Sequence, residues 1–282
     1  MDLTPYRFAH AAGRRLAYRR RGDGAPVLML HGVASYSFLW DPIIDRMRDR
    51  FDLIAPDLLG CGASEKPEHA DHSIRGQALL MVALLDALEI DSVHLVAHDV
   101  GGGVAQILAV DHPQRLRSLT LINPVGYDYW PVQPITTMRA PVIRHLAQAV
   151  MNRSMLRLVI RHALYHKELL TAELLDAFWA PFASEEGRRG FFQLIRAINN
   201  RLLTEIQPQL QRITLPTLLV RGAADAYLSA HIISDLARDI PHAQTHTLPQ
   251  GGHFIQIDLP NQISTLAAEF LSQLELSSKN ME

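Results

Sequence analysis

The chain has 282 residues, 48% of them apolar and 20% charged, and a formal charge of −2. Nothing in that balance points to nucleic acid, and no nucleic-acid partner is expected. The most apolar run, Ala78 to Leu88, is too short to span a bilayer and carries Asp86, so no membrane partner is expected. The single cysteine, Cys61, cannot form an internal disulfide, which fits a reducing compartment, and Met1 to Arg7 holds no apolar signal segment. The expectation is a cytoplasmic enzyme-sized chain with room for one core and one insertion.

Residues 6–21 alternate polar and apolar on either side of Ala11-Ala12-Gly13, the pattern of a hairpin. Arg19-Arg20-Arg21 closes it and reads as a solvated strand end. Pro26 to Leu30 is a short apolar run, as expected of a strand buried on both faces. It is followed by His31-Gly32-Val33 and by helical spacing over Phe38 to Arg50. Phe51 to Pro56 predicts the next strand, and the loop Asp57 to Ser64 leads to a long helix from His72 to about Leu88. Another strand starts at Val93, and Leu116 to Ile122 forms the one after it, broken by Asn123-Pro124-Val125-Gly126.

Strand and helix alternate to this point, which predicts a mostly parallel, doubly wound α/β sheet. From about Val125 to Arg212 the alternation stops. Helical periodicity takes over in Val142 to Ala163, Ala172 to Phe178 and Gly190 to Leu203. Strand–helix order resumes with Thr217 to Val220, a helix near Ser229 to Asp239, a strand near Gln244 to Leu248 and a final helix from about Asn261 to Leu274. Residues 1–124 and 213–282 therefore read as the core domain. Residues 125–212 read as a helical cap inserted at the carboxyl edge of the sheet, where open α/β sheets hold their ligands.

Three strand ends carry the chemistry. Ala97-His98-Asp99-Val100-Gly101 places small residues two positions to either side of an acid, at a passage from apolar strand to helix. A sharp turn holding one side chain exposed needs that spacing; it is the nucleophile-elbow pattern with Asp in place of Ser. A simple helix cap by Asp99 is the competing reading. Arg221-Gly222-Ala223-Ala224-Asp225 puts a carboxylate just past another strand, although the preceding strand end, at Asn123, is also a place for an acid. Gln250-Gly251-Gly252-His253 puts a histidine in a glycine-rich loop after the last strand. The chain order is nucleophile, acid, histidine.

Together with His31-Gly32 and Asp57-x-x-Gly60-x-Gly62-x-Ser64, these motifs resemble an α/β hydrolase along nearly the whole chain. An Asp elbow preceded by His98 is similar to the branch holding epoxide hydrolases and haloalkane or haloacid dehalogenases. The resemblance implies catalytic Asp99, Asp225 and His253, an oxyanion hole from the backbone N–H groups of Val33 and Val100, and no metal or other cofactor. The chemistry fits the substitution. A carboxylate attacking an ester gives an anhydride that reverts, whereas attack on an sp3 carbon gives a stable alkyl ester. His253, oriented by Asp225, then activates water against that ester.

The leaving group divides the branch. Dehalogenases of this type often place Trp after the nucleophile and Asn after His-Gly; here those positions are Val100 and Val33. Epoxide opening needs an acid, and Tyr127, Tyr129 and Tyr165 are candidate cap donors, each equally readable as core filling. The sequence therefore favours an epoxide hydrolase giving a vicinal diol, with Trp130 and Trp179 keeping a dehalogenase open as the alternative. An ester or lactone hydrolase with Asp99 as base, and a non-catalytic binding protein, are the remaining readings. Met138, Val142, Leu146, Val150, Phe178 and Phe182 suggest a small, largely apolar organic substrate alongside water. A homodimer is compatible with the sequence.

Overall fold

The computed structural model describes residues 4–133, 135–138, 140 and 151–279. Eight strands form one sheet in the order β1-β2-β4-β3-β5-β6-β7-β8. They are β1 (Tyr6–Ala11), β2 (Arg14–Arg21), β3 (Ala25–Leu30), β4 (Phe51–Pro56), β5 (Val93–Asp99), β6 (Leu116–Pro124), β7 (Thr217–Gly222) and β8 (Gln244–Leu248). The β1–β2 and β2–β4 pairs are antiparallel and the rest are parallel. This is the mostly parallel sheet that the strand–helix alternation predicts.

The interior strands are apolar throughout because both faces are covered. Along β3, Leu28 and Leu30 face one core, and Val27 and Met29 face the other. Leu95 and Ala97 on β5 join the first core, and Val96 joins the second. The period of two thus sends successive residues to opposite layers. The helices α2 (Ile74–Ala87) and α3 (Val100–Asp111) cover the first face. The second is covered by α1 (Asp41–Met47) and the helix Pro260–Lys279, through Trp40, Ile43, Met47, Ile263 and Leu271. Burying each such side chain contributes about 1.5–3 kcal/mol. The Ser73 hydroxyl starts α2 by accepting the Gly76 N–H, an ordinary N-cap.

The arginine run at the end of β2 is solvated at Arg20 and Arg21 but not at Arg19, and all three pair with acids. Arg19 is buried, with Nε 3.0 Å from the Ser37 hydroxyl. Arg20 pairs with Asp52 at 2.7 Å and Arg21 with Asp45 at 2.8 Å. Antiparallel pairing with β4 brings β2 against α1 and the strand that follows it, so each guanidinium meets an acid.

Between β6 and β7 the described residues contain helices and no strand. The principal ones are Arg153–Ala163, Ala172–Trp179, Glu185–Ala197 and Arg201–Ile206. Asn152, Thr171 and Ser184 cap the first three, each side chain accepting a backbone N–H. The single helix expected over Gly190 to Leu203 is broken at Ile198–Asn200, where Ile198 turns extended. Of the helix expected over Val142 to Ala163, residues 142–150 lie outside the described residues. No helix among the described residues is long and apolar enough to cross a membrane.

Candidate active site

The passage from β5 to α3 sets Asp99 at φ 51° and ψ −121°. A non-glycine residue there carries about 1–3 kcal/mol of strain. The neighbouring glycines leave the necessary room. A Cβ on Gly101 would sit 2.5 Å from the His31 carbonyl oxygen, and one on Gly32 would sit 2.3 Å from the Asp99 Cβ. The side chain makes no capping hydrogen bond to α3. Its Oδ1 instead accepts the Val33 N–H at 2.7 Å, from the loop after β3. Capping therefore does not account for this residue. Burial raises the Asp99 carboxyl above its ordinary value, opposed by His253 and by the N–H groups of Val33 and Val100.

Asp225 follows β7 and is enclosed differently. Its Oδ1 accepts the N–H groups of Tyr227 and Leu228 at 2.9 and 3.1 Å. Its Oδ2 lies 3.1 Å from His253 Nδ1 and 3.7 Å from the Arg221 guanidinium. Burial works against its charge, yet His253 and the two N–H donors outweigh it and hold the carboxyl down at about 2. With Asp225 ionised, Nδ1 of His253 must carry the proton, which turns Nε2 toward Asp99 Oδ2 at 3.8 Å. That gap is too long for a hydrogen bond. Burial lowers the basicity of His253, but Asp225 and Asp99 together raise it above the ordinary imidazole value.

The His253 backbone is held from the sheet side as well. Its carbonyl accepts from His98 Nε2 at 2.9 Å and from Asn123 Nδ2 at 3.1 Å, and the Asn123 Oδ1 takes the Gly222 N–H. Burial drives the His98 imidazole down to about 3, so it is neutral. Asn123, at the strand end where an acid was the alternative to Asp225, ties the β7 end to the histidine loop.

These groups open on a cavity of about 360 Å³. Its floor is Val33, Asp99, Val100 and His253; its walls include Trp130, Met138, Met155, Val159, Phe182 and Tyr227. Met138 and Phe182 are thus wall residues as expected. Phe178 is instead fully buried behind them, edge-on to Phe38 at 4.9 Å. Val142, Leu146 and Val150 lie outside the described residues.

The three candidate tyrosine donors are not brought to the cavity. The Tyr127 hydroxyl donates to Asp239 and the Tyr129 hydroxyl to Asp235, each at 2.9 Å. The chain turns at Tyr127, φ 55°, and points both rings at the helix His231–Asp239 instead of the strand ends. Burial and Asp239 push the Tyr127 hydroxyl well above its ordinary value, the wrong direction for an acid. Tyr165 sits 44% exposed and outside the wall. The tyrosine that does line the cavity is Tyr227, its ring 5.4 Å from that of His253, and its hydroxyl is engaged by the Val159 carbonyl at 3.0 Å. A local signal for it exists: it lies two residues after Asp225, where an aspartate turn fixes the next residues. The Trp130 ring also lines the cavity, and its Nε1 is buried with no hydrogen-bond partner among the described residues.

An eight-stranded sheet with an elbow after β5, an acid after β7 and a histidine after β8 is the arrangement of α/β hydrolases. Residues 25–260 match the family model described as alpha/beta hydrolase fold, and the chain belongs to that family. Among named relatives, it is 29% identical over 290 residues to haloalkane dehalogenase 2 of Mycobacterium tuberculosis, covering 95% of this chain and 96% of the relative. It is 26% identical over 288 residues to cis-3-alkyl-4-alkyloxetan-2-one decarboxylase of Shewanella oneidensis, covering 97% and 91%. The crystal structure of haloalkane dehalogenase DbeA from Bradyrhizobium elkani superposes with a TM-score of 0.86 at 28% identity, covering 97% of this chain and 99% of that one.

Proposed function

We propose that this α/β hydrolase displaces a leaving group from an sp3 carbon through a covalent ester on Asp99, and that the leaving group is halide. The observation that carries the nucleophile is the Asp99 carboxylate itself: Oδ1 accepts the Val33 N–H, and Oδ2 lies 3.8 Å from His253 Nε2. Oδ2 attacks carbon and the carbon–halogen bond breaks, its electron pair leaving as halide. His253 then takes a proton from water, and the hydroxide adds to the Asp99 carboxyl carbon. The oxyanion is met by the N–H groups of Val33 and Val100. Collapse breaks the ester C–O bond, the departing alkoxide takes the proton back from His253 and leaves as the alcohol, and Asp99 and the neutral imidazole are restored.

The choice of leaving group rests on what the cavity offers. An epoxide oxygen needs a proton as it departs, and the three tyrosines considered for that task point elsewhere. Halide departs without one and needs only a donor to share its charge. Trp130 lines the cavity, and its indole N–H, buried and with no hydrogen-bond partner among the described residues, is the candidate for that donor. Similarity to haloalkane dehalogenases over nearly the full chain supports the same choice. The apolar walls favour a small, uncharged organic halide.

A strained cyclic ester is the second reading, favoured by the oxetanone decarboxylase relative and by the lack of side-chain donors at Val33 and Val100. Opening such a ring at its alkyl carbon releases a carboxylate, which also leaves without protonation. His253→Gln should convert a substrate into a stable adduct on Asp99, detectable by intact-protein and peptide mass spectrometry. Haloalkanes, epoxides and a 3,4-dialkyl oxetan-2-one form the panel. Adduct with a haloalkane alone supports the dehalogenase; adduct with the lactone alone replaces it with the second reading. No adduct from any member removes the Asp99 ester.

A further inference from the structure

Asp258 lies in the short helix Ile255–Asp258 just beyond the histidine loop, 6% exposed, with no ion-pair partner among the described residues. A buried carboxylate without a cation is costly unless hydrogen bonds replace its water. Three backbone amides do so. Oδ2 accepts the Gly252 N–H at 2.8 Å and the Tyr165 N–H at 3.1 Å, and Oδ1 accepts the His166 N–H at 2.8 Å.

These amides come from two separate parts of the molecule. Gly252 immediately precedes the histidine. Tyr165 and His166 follow the helix Arg153–Ala163, which carries Met155, Leu156 and Val159 into the cavity wall. The junction is direct as well, because the His253 N–H donates to the Ala163 carbonyl at 2.7 Å. It also has no slack. A Cβ on Gly252 would lie 2.4 Å from the Ala163 oxygen and 2.8 Å from Asp258 Oδ2.

We propose that Asp258 is a positioning residue that clasps the helical insert to the His253 loop and thereby sets the imidazole over the Asp99 ester. It touches neither substrate nor Asp99. Its effect rests on the proposed two-step reaction, in which ester formation uses Asp99 alone and ester hydrolysis uses His253. The clasp therefore acts on the second step. A displacement of about 1 Å at a reacting group costs on the order of 100-fold in rate.

The test is Asp258→Asn in the full chain, with ester formation and hydrolysis measured separately by rapid quench and intact mass. The expected result is ester formation at the parental rate, hydrolysis slower by about 100-fold, and accumulation of alkylated Asp99. Asp258→Glu, which keeps a carboxylate, should recover part of the loss. Equal slowing of both steps, or unchanged hydrolysis in a folded variant, overturns the proposal. Should Asp258→Asn not fold, Gly252→Ala perturbs the same junction and is expected to give the same partition. A second readout needs no turnover: the imidazole titration of His253, followed by NMR, should move to lower pH in Asp258→Asn as its contact with Asp225 loosens. An unmoved titration overturns the clasp. A titration that moves in Asp258→Asn while the parent enzyme forms no adduct supports the clasp and removes the ester reading.

Discussion

Two carboxylates flank His253, one from the end of β5 and one from the end of β7, and their surroundings are opposites. Asp225 accepts two amides and the imidazole and is held ionised at about 2. Asp99 sits on a strained turn with fewer strong donors, Oδ1 accepting the Val33 N–H, and burial pushes its carboxyl upward. A fully hydrogen-bonded anion is a poor nucleophile because its lone pairs are engaged. A buried one with fewer donors retains more of the basicity and lone-pair access that attack on carbon requires. On the proposed reading, the same residue type serves as orienter at one strand end and nucleophile at the other.

The sharpest way to break this contrast is Asp225→Asn. The amide keeps the shape but leaves His253 in the wrong tautomer, and hydrolysis should fall about 10⁴-fold while alkylation of Asp99 persists. Loss of both steps alike, followed by rapid quench, would show that the two acids do not divide the work. A smaller effect comes from pH. The attacking form of Asp99 is the anion, so alkylation is present above its folded-state value and lost as pH falls through it. With that value raised, the acid limb of single-turnover alkylation should lie above the ordinary 3.8. Asp225, held at about 2, adds no second limb in that range. A limb at or below 3.8 would mean that burial does not dominate at Asp99. The smallest effect is expected from Trp130→Phe, which keeps the ring and removes the N–H. Halide displacement should slow by about tenfold, the worth of one hydrogen bond to a charged group, with hydrolysis of the preformed ester unaffected. Equal loss in both steps would assign Trp130 to packing.

The sheet was legible in the sequence because its signals are local. Continuous apolar runs such as Pro26–Leu30 mark buried strands, and the order Asp99, Asp225, His253 follows from strand ends that each carry their own glycines. Partners distant in the chain were not legible. Tyr127 and Tyr129 looked like cap donors because nothing nearby shows that Asp239 and Asp235 take their hydroxyls. The grip of His98 and Asn123 on the His253 carbonyl ends on backbone atoms, which leave no trace in residue type. The burial of Arg19 was hidden for the same reason, since the acids of the arginine run lie on α1 and β4.

Roughly 90 residues separate the end of β6 at Pro124 from the start of β7 at Thr217, yet the two strands pair as neighbours. Closing so long a connection instead of a four-residue one costs only about 3 kcal/mol, because the entropy of closure grows with the logarithm of length. An insert that buries its own apolar face offsets that amount with one or two side chains. The sheet can therefore accept a longer, shorter or rearranged lid at this point without losing strand pairing. On the proposed reading, the insert that walls the cavity can change over generations while the floor holding Asp99, Asp225 and His253 stays in place.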